Sequence, residues 1–227
     1  MSHSPGNPRT LTVPLFPLPN LVLLPSAILP LHIFEERYRQ MTADAVVGPR
    51  RIAMTLLKPG WEQHYHCRPA IEDVVCVGTI LSHEKLPDGK YNLLLQGTHR
   101  ARVRAELPRD AARLYRLAEI ELLEDEPVME IDLCNERGRL TNMFSESPFD
   151  RFTLGRQLLK LLASPMSTEA VADVIAFNLL DDVALKQTLL GDTDPCRRVN
   201  RVLTALENAK ACFEARLRRR SHQSSLN

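Results

Sequence analysis

Glycine is scarce in this sequence, at 9 of 227 residues, or about 4% against a usual value of about 7%. Loops that cradle phosphate groups depend on glycine, and none of the patterns GxxxxGKS/T, GxGxxG or GxSxG occurs. The patterns HExxH and CxxC are also absent. The sequence therefore lacks the common motifs of nucleotide-binding and hydrolytic sites. We predict no catalytic residues, no cofactor and no bound metal.

Neither sign of charge predominates, since the chain has 29 Lys and Arg residues and 28 Asp and Glu residues, for a net charge of +1. Such a balance gives no overall attraction to nucleic acids or to anionic membranes. No apolar run approaches the roughly 20 residues of a membrane span, and residues 1–10 do not resemble a secretory signal. The cysteines are odd in number and widely spaced, which is typical of reduced thiols buried as small hydrophobic residues: Cys67, Cys76, Cys134, Cys196 and Cys212. We expect a cytoplasmic protein.

The first half of the chain is predicted to form short strands with turn residues about every ten positions. We predict strands at 11–16, 20–24, 28–33, 51–57, 73–83, 91–96, 99–106 and 115–123. Prolines interrupt the first three of these, and because proline cannot donate to a ladder they belong at edges or bends. One amphipathic helix, 34–47, lies among the strands, and Leu86-Pro87-Asp88-Gly89 predicts a hairpin turn. This pattern favours a barrel or sandwich over a sheet of alternating strands and helices.

The pattern becomes helical after Asp125-Glu126-Pro127. Ser147-Pro148, Ser167, Asp181 and Asp194-Pro195 are predicted to begin four helices, at 147–163, 167–177, 181–191 and 195–218. The last helix carries apolar residues at an almost unbroken spacing of three and four: Val199, Val202, Leu203, Leu206, Ala209, Phe213 and Leu217. We therefore predict an α+β fold, with a disordered N-terminus at 1–10, a β module at 11–125, a helical module at 126–220 and a polar tail at 221–227.

Three clusters of polar residues invite a functional interpretation. Arg100, Arg102 and Arg104 alternate along one strand and are candidates for contact with a polyanion, although cross-strand pairs with Glu119 and Glu121 explain them more simply. The segment 64–67, His-Tyr-His-Cys, supplies at most two metal ligands from one strand face, so an exposed loop is the simpler interpretation. The arginines at 216 and 218–220 suit a helix C-terminus.

Apolar residues crowd the proline-rich opening segment, where proline leaves part of the backbone unpaired. Most of them belong to the core, and the remainder is predicted to form a patch for an extended peptide added to a free strand edge. This set comprises Leu15, Phe16, Leu18, Leu21, Leu23, Leu24 and Leu29.

The same segment resembles the opening of the Lon protease amino-terminal domain. The similarity runs from Leu15-Phe16-Pro17-Leu18-Pro19-Asn20 through Pro25 to the stretch from Pro30 to Tyr38. Later elements match in order at 77–80, 86–89, 93–97, 172–176 and 186–190, so that the resemblance covers roughly residues 11–215. It implies a PUA-like β-barrel with one inserted helix, followed by a helical bundle with a long last helix. It also implies a role in recognising substrate proteins, without the ATPase and peptidase domains of the full protease.

The leading hypothesis is accordingly a non-catalytic, stand-alone module that binds unfolded or extended protein segments and works with a protease or chaperone machine. The candidate peptide-binding residues are Leu15, Phe16, Leu18, Leu24, Leu31, Phe34, Arg37 and Tyr38. An RNA-binding protein that uses the basic cluster from Arg100 to Arg116 is the alternative, although neither nucleic acid nor a membrane is the expected partner. A small hydrolase or metal enzyme built on residues 64–67 is a third hypothesis.

Overall fold

The computed structural model describes residues 10–64 and 68–224, with side chains for all of these except 64 and 216–224. The chain divides into two units. The first holds the described residues up to Asp125 together with Asp182–Thr193, and the second holds Glu126–Asp181 and the described residues from Asp194 onward. The chain therefore leaves the first unit, enters the second and returns once before its last helix.

A mixed sheet builds the first unit. Its strands are β1 (Thr10–Leu18), β2 (Ile28–Ile33), β3 (Arg51–Leu56), β4 (Val74–Lys85), β5 (Tyr91–Glu106) and β6 (Arg116–Leu122). The order is β2-β5-β4-β3-β1-β6, with β1 and β3 parallel and the other neighbours antiparallel. Because β6 also pairs with β5, the sheet closes on itself. Helix α1 (Glu36–Val47) lies between β2 and β3 in the chain, and the predicted α+β fold is confirmed.

The register explains how prolines fit into this sheet. Pro14 lies where β1 pairs only with β6, and Pro17 lies where β1 pairs only with β3. Pro30 lies on β2, which ends the strand order and pairs with β5. Each proline thus stands beside a single neighbouring strand, where a missing N–H is tolerated.

The hairpin between β4 and β5 forms as predicted. Gly89 takes a φ of 80°, and its N–H donates to the Leu86 carbonyl at 2.9 Å. The strands predicted at 91–96 and 99–106 are one strand, β5, in which the register shifts where Gly97 faces Gly78. A side chain at Gly97 would lie 2.2 Å from the Leu24 carbonyl oxygen, so the bulge requires glycine there.

The strand predicted at 20–24 does not form. Residues 19–27 run as an irregular segment, yet Val22, Leu23 and Leu24 are almost completely buried. A turn ends this segment, and the Ser26 N–H there donates to the Gly97 carbonyl of β5 at 2.8 Å. The apolar run therefore correctly predicted that these side chains are buried, but the prediction of a strand is wrong.

Helices build the second unit: α2 (Cys134–Ser145), α3 (Thr153–Leu162), α4 (Thr168–Leu179) and α6 (Pro195–Ser224). Helix α2 was not predicted, because its first half is polar and only Leu140, Met143 and Phe144, near its end, are buried. Helix α3 begins at Thr153 rather than after Ser147, since a short 3₁₀ turn comes first. Helix α5 (Val183–Gly191) was assigned to the helical module, but it lies in the first unit.

The apolar stripe of α6 is buried along its first half only. Val199, Val202, Leu203 and Leu206 are each at most 1% exposed, whereas Ala209 is exposed and Phe213 is 39% exposed. The side chain of the last predicted member, at position 217, lies outside the described residues.

The cysteines are less buried than the sequence suggested. Of those described, Cys76 is buried, Cys196 is half-buried, and Cys134 and Cys212 are exposed free thiols. Among the residues with structure, no helix combines the length and apolarity that crossing a membrane would need.

Candidate functional site

A groove of about 350 Å³ opens in the first unit between the start of α1 and the loop that joins β5 to β6. Its lining comes from five separate stretches of the sequence. The residues are Leu15, Pro17, Arg37, Tyr38, Leu57, Arg68, Pro69, Arg109, Asp110, Ala111, Arg113, Leu114, Tyr115 and Arg116. The site is thus assembled by the fold and not by one local motif.

The floor of the groove is apolar and firmly packed. Leu15 and Leu57 are 0% and 4% exposed. The Tyr38 ring lies 4.2 Å from the Phe16 ring, centroid to centroid, and its hydroxyl donates to the Pro17 carbonyl at 3.5 Å. This packing fixes α1 to β1 and presents a rigid apolar surface at the base of the groove.

The loop at 107–115 forms one wall, and α1 holds it in place. The Gln40 side chain donates to the Ala112 carbonyl at 2.8 Å and accepts from the Leu114 N–H at 2.7 Å. The Tyr115 hydroxyl donates to Asp44 at 2.9 Å. Burial, that hydrogen bond and the Asp44 charge raise the pKa of Tyr115 to about 12, so the phenol stays protonated at neutral pH.

Arginines surround the apolar floor. The Arg37 guanidinium lies 4.5 Å from the centre of the Tyr38 ring and pairs with Glu35 at 2.8 Å. Arg116 is bound by Glu106 and donates to the Pro69 carbonyl at 2.9 Å. The groove therefore combines an apolar base with cationic side chains.

The family of the chain follows from comparison with known proteins. Residues 12–208 match the family model described as the ATP-dependent protease La (LON) substrate-binding domain. The chain belongs to this family. The groove and the helical unit both lie largely within the matched range. The remaining site residues can therefore be placed in the fold of the Lon substrate-binding family.

Relatives of known sequence and structure agree with this assignment. The chain is 26% identical over 193 residues to the Lon protease of Dictyoglomus thermophilum, which covers 84% of this chain and 23% of that protein. It is 28% identical over 204 residues to Lon protease 2 of Bdellovibrio bacteriovorus, which covers 86% of this chain and 24% of that one. The chain thus spans about a quarter of the length of these relatives.

Solved structures of Lon N-terminal domains show the same architecture. The crystal structure of a Lon N-terminal domain protein from Xanthomonas campestris matches with a TM-score of 0.62 and 26% identity, covering 86% of this chain and 98% of that one. The N-terminal domain of the Mycobacterium avium complex Lon protease matches with a TM-score of 0.66 and 13% identity, covering 87% and 98%. At that identity the second match shows the fold alone.

The predicted peptide-binding residues fall into three groups in this Lon-type fold. Leu15, Arg37 and Tyr38 line the groove. Phe16 and Leu24 are 5% and 0% exposed and are core residues, because Phe16 packs against the Tyr38 ring and the Leu24 backbone lies against Gly97 of β5. The remaining three do not line the groove: Leu18 and Leu31 are half-buried, and Phe34 is 61% exposed.

The arginines of the polyanion alternative do not share one open surface. Arg100 is 4% exposed and pairs with Asp125 at 3.5 Å, so it cannot reach a polyanion from its present position. Arg104 pairs with Glu121, which is the cross-strand arrangement expected of neighbouring strands. Arg102 is exposed. The strand pattern did not predict the burial of Arg100, because its partner Asp125 lies after the last strand and not on a neighbouring one.

The cluster at 64–67 lies outside the described side chains. Within the described part of the chain, no group of three His, Cys, Asp or Glu residues is arranged to hold a metal ion.

Sequence reasoning missed several groove residues, including Leu57, Arg68 and Leu114. It did note Arg109, Arg113 and Arg116, which follow the alternating arginines of β5 in the sequence. The signal that could have linked them to the groove is the turn-forming Pro108-Arg109-Asp110, which indicates an exposed loop between two strands.

Proposed function

We propose that this chain is a non-catalytic protein-binding module that holds unfolded or extended protein segments in the groove of its first unit. The observation that carries this proposal is a groove with an exposed apolar residue, Leu114, over a packed apolar base, inside a fold of the Lon substrate-binding family. A concave apolar surface with a few polar groups at its edge is the usual form of a binding site.

Binding is expected to be weak. A groove of this size buries about 1,000 Å² or less with an extended peptide, the low end for specific complexes. Ordering a flexible segment costs further free energy. We therefore expect a dissociation constant of about 10 μM or weaker, equivalent to about −7 kcal/mol.

The test compares two exposed leucines. Leu114 lines the groove and is 52% exposed, and Leu81 lies on β4 outside the groove and is 47% exposed. Both Leu114→Asp and Leu81→Asp should fold, since neither side chain is buried. A labelled unfolded protein titrated against both variants should bind Leu114→Asp about tenfold more weakly than wild type, since about 1.4 kcal/mol of apolar contact is lost.

Leu81→Asp serves as the control and should bind as wild type does. Equal weakening by both substitutions would show that the groove is not the binding surface. No binding of the unfolded protein to wild type, or tight binding of RNA in its place, would overturn the proposal.

We propose further that the module acts in the cytoplasm and brings bound segments to a protease or chaperone machine. The sequence carries no Walker pattern, and the family match is to a substrate-binding domain. The chain itself is therefore expected neither to hydrolyse ATP nor to cleave peptide bonds.

A further inference from the structure

Five of the residues that line the groove are arginines, and one carboxylate serves two of them. Glu106 accepts hydrogen bonds from Arg116 at both of its oxygens and also lies 3.5 Å from the Arg68 guanidinium. Two positive charges therefore share one negative charge on this side of the groove.

The loop side of the groove also has two arginines, Arg109 and Arg113, for one carboxylate, Asp110. Arg113 is engaged already, since it pairs with Asp110 at 3.7 Å, donates to the Pro108 carbonyl at 3.3 Å and has a buried Nε. Arg109 is exposed, and among the described residues no ion pair of its own is found. The Arg109 guanidinium is therefore the group on this wall that can receive an anionic side chain.

The other carboxylates near the groove do not cancel this excess. Glu35 is paired with Arg37, and Asp44 keeps its negative charge but does not line the groove, so that five arginines still outnumber the four nearby carboxylates. The cationic side chains that line the groove come from α1, from the loop, from Arg68 beside the loop and from the start of β6.

We infer that the groove selects extended segments in which Asp or Glu side chains alternate with apolar residues, an inference that rests on the proposed function. Apolar side chains of such a segment contact the exposed Leu114 and the apolar base of the groove, and its carboxylates contact Arg109 on the loop and Arg68 beside the loop. Carboxylates bind guanidinium groups through paired hydrogen bonds, so the match is chemical as well as electrostatic.

This arrangement favours an acidic peptide over two other anions. A chain-terminal carboxylate is one group, whereas the arginines are spread around the groove. Single-stranded RNA binds by stacking its bases on open aromatic rings. The two aromatic residues of the groove are unsuited to stacking, since Tyr38 is 5% exposed and Tyr115 is half-buried with its hydroxyl bound.

The experiment uses the full chain and two labelled peptides that are blocked at both ends. One alternates Glu with Leu and Phe, and the other replaces each Glu by Gln. We expect the acidic peptide to bind about fivefold more tightly at low salt, as partly exposed ion pairs allow. The advantage should shrink at higher salt, because screening weakens exposed charge pairs.

Two variants locate the effect. Arg109→Gln removes the groove arginine without an ion pair, and Arg102→Gln removes an exposed arginine of β5 that does not line the groove. Arg109→Gln should reduce the preference for the acidic peptide, and Arg102→Gln should leave it unchanged. Neither substitution breaks a hydrogen bond found in the described structure, so both should fold.

The outcomes separate this inference from the proposed function. If both peptides bind equally and Leu114→Asp weakens both, the groove binds peptides without selecting acidic ones, and the inference is wrong. If neither peptide binds, the proposed function fails as well. Tighter binding of an oligouridylate than of the acidic peptide, lost in Arg109→Gln, would replace the peptide by RNA and overturn the inference.

Discussion

Arg137 illustrates how one residue organises the second unit. Its guanidinium donates to the carbonyls of Leu162, Ser164 and Met166 at 2.7 to 3.0 Å, and so holds the turn between α3 and α4. It also pairs with Glu130 at 2.9 Å. Burial would raise the pKa of Glu130, but hydrogen bonds from Thr168 and the charge of Arg137 outweigh it and lower the pKa.

We predict that Arg137→Ala destabilises the protein by about 3 kcal/mol, since three carbonyls lose a charged donor at once. The matched control is Arg139→Ala on the same helix, which removes an exposed pair with Glu207 and should cost less than about 1 kcal/mol. Urea unfolding followed by circular dichroism measures both. Equal costs would show that the turn does not depend on Arg137.

Residues such as Arg137 mark a limit of sequence reasoning. A charged side chain in a polar stretch is assigned to solvent, and only the fold reveals carbonyls about 25 positions away as its partners. Arg198 is a second example. It is 1% exposed at the start of the α6 stripe and lies 3.9 Å from Asp173 on α4.

Elements were predictable where local signals agreed. The β4–β5 turn has proline and glycine where the turn needs them, and α6 has a clear apolar spacing after Asp194-Pro195. Helix α2 was missed because its buried residues occupy only its last turns. The apolar spacing also did not predict how much of the stripe is buried, since α6 buries its stripe only as far as Leu206.

The two halves of α6 should respond differently to the same kind of substitution. Leu206→Asp places a charge where the side chain is 1% exposed, and we expect a loss of about 4 kcal/mol or unfolding of the second unit. Phe213→Asp changes a residue that is 39% exposed and should cost about 1 kcal/mol or less. Thermal melts followed at 222 nm compare them. An unchanged melt for Leu206→Asp would show that the first half of the stripe does not support the fold.

At the scale of the molecule, the groove could not be predicted from the sequence, even though three of the candidate peptide-binding residues line it. Its lining is drawn from positions between 15 and 116, brought together by the closure of the sheet. The sequence indicated which residues are apolar and which are cationic. It did not indicate that the Leu15 floor and the Arg109 loop face the same cavity, because that depends on strand order.

The sequence also did not predict that the chain returns to its first unit. Helix α5 follows 56 residues of the second unit, Glu126–Asp181, and yet belongs with the sheet. The Gln187 side chain donates to the Val74 carbonyl at 2.9 Å, and a Cβ added at Gly191 would lie 3.9 Å from the Val74 side chain. A change in composition indicates where the chain leaves the first unit. Composition does not indicate that a later helix packs in the first unit again.

This topology predicts different behaviour for two truncations. A fragment of residues 1–193 keeps every segment of the first unit, whereas a fragment of residues 1–125 lacks α5. Trp61 is the single tryptophan and packs against the core of the first unit, so its fluorescence follows that unit alone. Losing the bond to Val74 costs about 1 kcal/mol, or about 4 °C, and the lost packing adds to it. The fragment 1–125 should therefore melt at least that much below 1–193. Equal midpoints would show that α5 is dispensable to the sheet, and that the first unit is complete at residue 125.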